Sequence, residues 1–201
     1  MKVVFTGAQG TGKTTILNHY KDQGFNVITE VVRNLAKKGV KINQDGDEKG
    51  QTKIFNEYKK LLADTPNYFS DRCLLDVTAY TIYLYRAGKV SEDFANKQLK
   101  NLHKFMLANP DIFYCYFPIE FDLVDDGTRS MDVDFQKEID SIILSLIGSL
   151  GLGFVVINGS VEDRIAKIDK LMDWVKTSDE LFTRLTRVDA TTDVQAQEVE
   201  E

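Results

Sequence analysis

At 201 residues and 43% hydrophobic content the chain can close one sizeable core, and no apolar run is long enough to cross a bilayer. A net charge of −6 argues against a broad basic face for nucleic-acid backbone, although the acid concentrated after Trp174 leaves a local basic groove open. Cys73, Cys115, His19 and His103 make no metal-ligand spacing, which argues against zinc, and a strand starting at residue 2 leaves no space for a leader, so a cytoplasmic protein is expected.

Lys2 to Thr6 is a short β-branched and aromatic run that predicts a strand. It leads into Gly7-Ala8-Gln9-Gly10-Thr11-Gly12-Lys13-Thr14, where two glycines separated by four residues precede Lys-Thr, the spacing of a P-loop. Thr14 to Gln23 then carries Ile16, Leu17 and Tyr20 at helical spacing. Strand, glycine loop and helix in this order make a triphosphate site. Glycines let successive N–H groups turn onto phosphate oxygens, and the helix N-terminus adds partial positive charge beneath them. Gly7 through Thr14, with Thr15, are the expected nucleotide-binding residues. Lys13 would reach the β- and γ-phosphates of ATP, and the Thr14 hydroxyl would hold Mg²⁺.

Gly24 ends the first helix, and Asn26 to Thr29 reads as a second strand with Glu30 at its exit. Val31 to Lys38 is helical with Arg33 among its apolar positions, residues 41 to 48 form a loop, and residues 49 to 63 form a helix. Asn67 to Ser70 is a strand that delivers Asp71 and Arg72. The next helix begins near Asp76, whose side chain is expected to cap it, and runs to Gly88. Its Tyr80, Tyr83 and Tyr85 could line a base pocket, but a helix of this composition is more often core. Ser91 starts a further helix, and Asp111 to Phe117 is an apolar run suited to a strand buried on both faces. Residues 118 to 133 turn polar and acidic around Arg129, as in a lid loop. Asp134 to Ser149 is helical, Phe154 to Ile157 is a last strand, and Ser160 caps a helix whose apolar period fades beyond Lys176. Residues 1–175 are therefore expected to form the domain, and 176–201 an acidic, flexible tail.

Five strands alternating with helices predict an α/β fold of the P-loop NTPase and kinase type: a five-stranded parallel sheet, helices on both faces and a short lid. Ligands of such a sheet lie beyond the strands' carboxyl ends. Gly7 to Thr14, Glu30, Asp71-Arg72 and the 118 to 133 loop all follow strand ends and so converge on one rim. There Lys13, Glu30, Asp71 and Arg129 are the candidate catalytic residues. Glu30 would serve as base or helix cap, Asp71 would join Thr14 at the metal, and Arg129 would stabilise developing charge.

Four pieces of the sequence resemble a known family: the glycine loop; Glu30-Val31-Val32-Arg33; Ser70-Asp71-Arg72 with Leu75-Asp76-Val77-Thr78-Ala79-Tyr80; and Asp125-Asp126-Gly127-Thr128-Arg129-Ser130. This is the AAA-type P-loop family grouped with the ribosylnicotinamide kinase domain of the bacterial NAD-biosynthesis regulator, near deoxynucleoside and thymidylate kinases. The resemblance spans residue 1 to about 175 and implies a kinase with Glu30, Arg33 and Arg72 toward the acceptor. Cys73 departs from it, standing where relatives often carry serine. The expected activity is transfer of the γ-phosphoryl group of ATP to a hydroxyl or phosphate of a nucleoside, nucleotide or similar small acceptor. A hydroxyl within DNA and a nucleotide-driven ATPase or switch stand as alternatives. The acceptor does not transfer with the motifs, and the oligomeric state is not written in them.

Overall fold

The computed structural model describes residues 1–124 and 130–197. The glycine loop follows β1 (Lys2–Thr6) and opens α1 (Lys13–Asp22); β2 (Val27–Ile28) and α2 (Val31–Lys37) come next. A 3-10 turn at Asn43–Asp45 precedes α3 (Glu48–Asp64), β3 (Tyr68–Asp71), α4 (Leu74–Arg86) and α5 (Glu92–Ala108). The chain then forms β4 (Ile112–Tyr116), α6 (Val133–Ser149), β5 (Phe154–Val156) and α7 (Val161–Gln197). The chain divides into two compact units, Met1–Gly159 and a second beginning at Ser160.

In the first unit the five strands are parallel, in the order β2-β3-β1-β4-β5. This places β1 at the centre, where the order of connection reverses, and puts the glycine loop at the switch point of the sheet. The two-residue period of the strands sorts side chains to opposite faces. Phe5 and Phe69 point to one side, where Tyr20 of α1 stacks on Phe69 at 4.4 Å and Phe117 lies 4.8 Å from Phe5. Val4, Ile28 and Tyr114 point to the other, into a core shared with Ile54 and Tyr58 of α3, Leu75 of α4 and Ile139 and Ile143 of α6.

Local signals set most boundaries. Asp47 accepts from the Gly50 N–H at 2.7 Å at the start of α3, and the Ser91 hydroxyl accepts from Phe94 at 3.2 Å at the start of α5. Asp132 accepts from Asp134 and Phe135 at the start of α6. The start of α4 is corrected: the helix begins at Leu74 after Cys73, so Asp76 is its third residue and caps from inside the first turn. Its carboxylate reaches back to the Cys73 N–H at 2.9 Å, which satisfies an orphan donor from inside the first turn.

The second unit contains α7. Ser160 and Asp163 cap its start reciprocally, the Asp163 N–H donating to the Ser160 hydroxyl at 3.1 Å and the Ser160 N–H to the Asp163 carboxylate at 3.0 Å. The helix continues to Gln197, past the limit near residue 175 read from the fading apolar period. Between Lys176 and Gln197 there is no glycine or proline, and nothing local interrupts the hydrogen-bond ladder. Among the described residues no helix is long and apolar enough to cross a membrane.

Candidate active site

The glycine loop needs its glycines for two physical reasons. Gly7 has φ +135° and lies so close to the end of β4 that a Cβ there would meet the Phe117 carbonyl oxygen at 2.4 Å. Gly10 and Gly12 have φ of 77° and 82°, in the left-handed region that side chains disfavour, and Gly12 is the residue from which α1 starts. Lys13 folds back over the loop. Its Nζ donates to the Gly7 carbonyl at 2.9 Å, the Ala8 carbonyl at 2.5 Å and the Thr11 hydroxyl at 2.8 Å. Burial pulls the Lys13 ammonium down to about 7, and the nearby Arg72 charge adds to the effect against the opposing Asp71, Asp76 and Asp140. Thr15 is exposed on α1, one residue beyond Thr14.

The Thr14 hydroxyl donates to Asp71 Oδ2 at 2.9 Å, joining the first turn of α1 to the exit of β3. The register explains the meeting: Asp71 pairs with Phe5 of the central strand, so its side chain shares the face on which α1 packs. A hydroxyl and a carboxylate here are hard oxygen donors of the kind that hold Mg²⁺. Among the described residues there is no cluster of three His, Cys, Asp or Glu that could form an all-protein cage. An ion with one carboxylate, one hydroxyl, phosphate oxygens and water needs no such cage.

Arg72 follows with φ 78°, a strained conformation for a side chain of this size. Around it, the Ser70 hydroxyl donates to its carbonyl at 2.7 Å and the Tyr58 hydroxyl to the Asp71 carbonyl at 3.0 Å. The guanidinium reaches the Gly7 carbonyl at 3.5 Å and Asp76 at 3.6 Å, and lies 5.4 Å from the centre of the Tyr80 ring. Asp76 itself is buried and also accepts from the Gly7 N–H at 3.3 Å. Burial raises its carboxyl above the ordinary range, while Arg72 and Lys13 pull it back down.

Glu30 follows β2, the strand beside β3, and starts α2 with φ 60°. Its side chain makes no cap; it pairs with Arg33 at 3.0 Å, with both side chains more than a third exposed. Arg129 lies outside the described residues.

Sequence reasoning missed the contribution of α6 and of Tyr80. The Gln136 amide of α6 donates to the Gln9 carbonyl at 2.7 Å, and both residues are buried. One turn further, Asp140 accepts from the Tyr116 hydroxyl at 2.8 Å; burial raises its carboxyl, against the Tyr116 hydroxyl, the Ala8 N–H and Lys13. A signal was present, since Gln136 and Asp140 are polar residues in phase with Ile139 and Ile143 on an otherwise apolar face. Tyr80, read as core, donates its hydroxyl to Gln9 Oε1 at 3.2 Å, whereas Tyr85 is exposed.

A family model described as an AAA domain matches residues 2–164. No curated protein matches by sequence. Among solved structures, the chain is similar to the NadR protein in complex with NR, at 17% identity and TM-score 0.68, over 86% of this chain and 51% of that one. The chain thus spans about half the length of that protein. It is also similar to the deoxyadenosine kinase of M. mycoides with bound dATP, at 17% identity and TM-score 0.60, over 86% of this chain and 100% of that one. The YorR protein of Bacillus subtilis, in complex with phosphorylated GDP, aligns at 15% identity and TM-score 0.55, over 88% of this chain and 98% of that one. The fold is that of the P-loop kinases.

Proposed function

The chain belongs to the AAA-domain family, and on that premise we propose that it is an ATP-dependent phosphotransferase acting on a nucleoside, nucleotide or similar small hydroxyl compound. The observation that carries this reading is the contact of Thr14 with Asp71 at 2.9 Å, one residue from a lysine folded over a glycine loop. The names of the similar structures, a deoxyadenosine kinase among them, support the acceptor class.

In this reading Lys13 leaves the Gly7 and Ala8 carbonyls for the β- and γ-phosphates, and the loop N–H groups turn onto the same oxygens. Thr14 and Asp71 would hold Mg²⁺, which when bound would supply positive charge beside the phosphates. Glu30 accepts the proton of the acceptor hydroxyl, whose oxygen forms a bond to the γ-phosphorus while the bond to the β–γ bridging oxygen breaks and ADP leaves. The Glu30 side chain does not cap α2 and is paired with Arg33 instead. Arg72 anchors the acceptor, Arg33 steadies Glu30, and Arg129 stabilises charge on the transferring group. The work is done in the cytoplasm.

Labelled ATP offered with nucleosides, mononucleotides and DNA tests the proposal. Label on a nucleoside or mononucleotide is the expected result. Label only on DNA would move the acceptor into a nucleic acid, and hydrolysis without transfer to any of them would overturn the phosphotransferase reading.

A further inference from the structure

Tyr80 touches both halves of the proposed reaction site: its ring faces Arg72, and its hydroxyl reaches Gln9 while also lying near the guanidinium. Its ring carries the Arg72 guanidinium at 5.4 Å, and its hydroxyl donates to Gln9 Oε1 at 3.2 Å. Gln9 is the third residue of the glycine loop, so it belongs to the phosphate cradle, and Arg72 is the proposed acceptor anchor. We propose that Tyr80 is a positioning residue that sets the distance between the two, a rigid spacer across which phosphoryl transfer is aligned. This rests on the phosphotransferase reading above for its consequence in turnover, but not for its consequence in nucleotide affinity.

Three observations support it. First, Gln9 is 5% exposed and its Nε2 finds no partner among the described residues, so the Tyr80 hydroxyl is the polar contact that orients the carboxamide. Secondly, Gln9 is gripped from a second helix, since Gln136 of α6 donates to its carbonyl at 2.7 Å. Phe135, the neighbour of Gln136, meets Tyr80 edge-on at 5.7 Å and Tyr83 at 4.6 Å, which locks the ring against α6. Thirdly, the Arg72 guanidinium that faces the Tyr80 ring is also paired through Nη1 with Asp76, itself bound to the Gly7 N–H, so ring and carboxylate act on the same group. Phosphoryl transfer is governed by positioning, and misplacement of about 1 Å can cost on the order of 10²-fold.

Tyr80→Phe keeps the ring under Arg72 and removes only the hydroxyl; Tyr80→Leu removes both. On the full-length protein, a fluorescent ATP analogue titrated with Mg²⁺ should bind about five-fold more weakly to Tyr80→Phe, the value of about one net hydrogen bond. Gln9→Met should weaken it similarly, and the double variant should be no weaker than either single one. In steady-state transfer to deoxyadenosine as probe acceptor, Tyr80→Phe should lower kcat with the acceptor KM unchanged. Tyr80→Leu should raise the acceptor KM as well. Native affinity in Tyr80→Phe, or additive losses in the double variant, would overturn the spacer. If the native protein transfers nothing to deoxyadenosine, the acceptor reading is at fault, and the affinity cycle still decides the role of Tyr80.

Discussion

Thr14 Oγ1 lies 2.9 Å from Asp71 Oδ2, although 57 residues separate them. Neither residue type binds a divalent cation strongly alone. Together, beside the phosphate cradle, they offer adjacent oxygen donors on two different elements, and a bound cation would tie α1 to β3. Asp71→Asn keeps the size of the side chain and removes its charge. The variant should need more Mg²⁺ for half-maximal ATP binding or turnover, with affinity for metal-free ATP nearly unchanged. A native Mg²⁺ titration would remove Asp71 from the metal site.

Glu30 stands at the start of α2 without using its side chain as a cap. Glu30→Gln should therefore leave Mg·ATP affinity and thermal stability close to native while slowing transfer by about 10²- to 10⁴-fold, the usual contribution of a general base. Stopped-flow transfer under saturating ATP would measure it. Transfer at the native rate would leave Glu30 as a surface partner of Arg33 and nothing more.

Lys13 titrates at about 7 while it lies against the loop carbonyls, because burial and Arg72 both disfavour its charge. A triphosphate would supply anionic oxygens and restore the charged form, so the value rises on binding. Between about 7 and the raised value, binding takes up a proton, and affinity falls as pH rises; below about 7 the ammonium is already formed and this group adds no pH dependence. Calorimetry about one pH unit above that value, in buffers of different ionisation enthalpy, should find close to one proton taken up. Lys13→Arg, charged throughout, should abolish the uptake. Lys13→Ala should lose most triphosphate affinity.

Asp76 is 1% exposed and is shared by Arg72, the Gly7 N–H and the Cys73 N–H. Asp76→Ala leaves a partly buried guanidinium and two N–H donors without their carboxylate, and should cost about 3 kcal/mol in urea unfolding. Adding Arg72→Met should recover part of the loss, since no uncompensated charge then remains. A loss below about 1 kcal/mol in the single variant would mean that water replaces the carboxylate.

Local chemistry wrote the core of this protein legibly into its sequence. The strand, glycine loop and helix from Lys2 to Asp22 follow from β-branched residues, from glycine at positive φ and from the helical spacing of Ile16, Leu17 and Tyr20. Alternation of strand and helix was enough to bring Glu30, Asp71 and the loop to one edge, because parallel strands all end on the same side. Those signals act over a few residues, and a few residues suffice to read them. The contacts of Tyr80 and Gln136 with Gln9, 71 and 127 residues away, follow no local rule. They depend on α4 and α6 packing together with particular faces inward, a choice made by summed burial across the whole core. Asp76 divides the same way: its cap on the Cys73 N–H follows from its place in a first turn, whereas its contacts with Arg72 and the Gly7 N–H depend on tertiary packing.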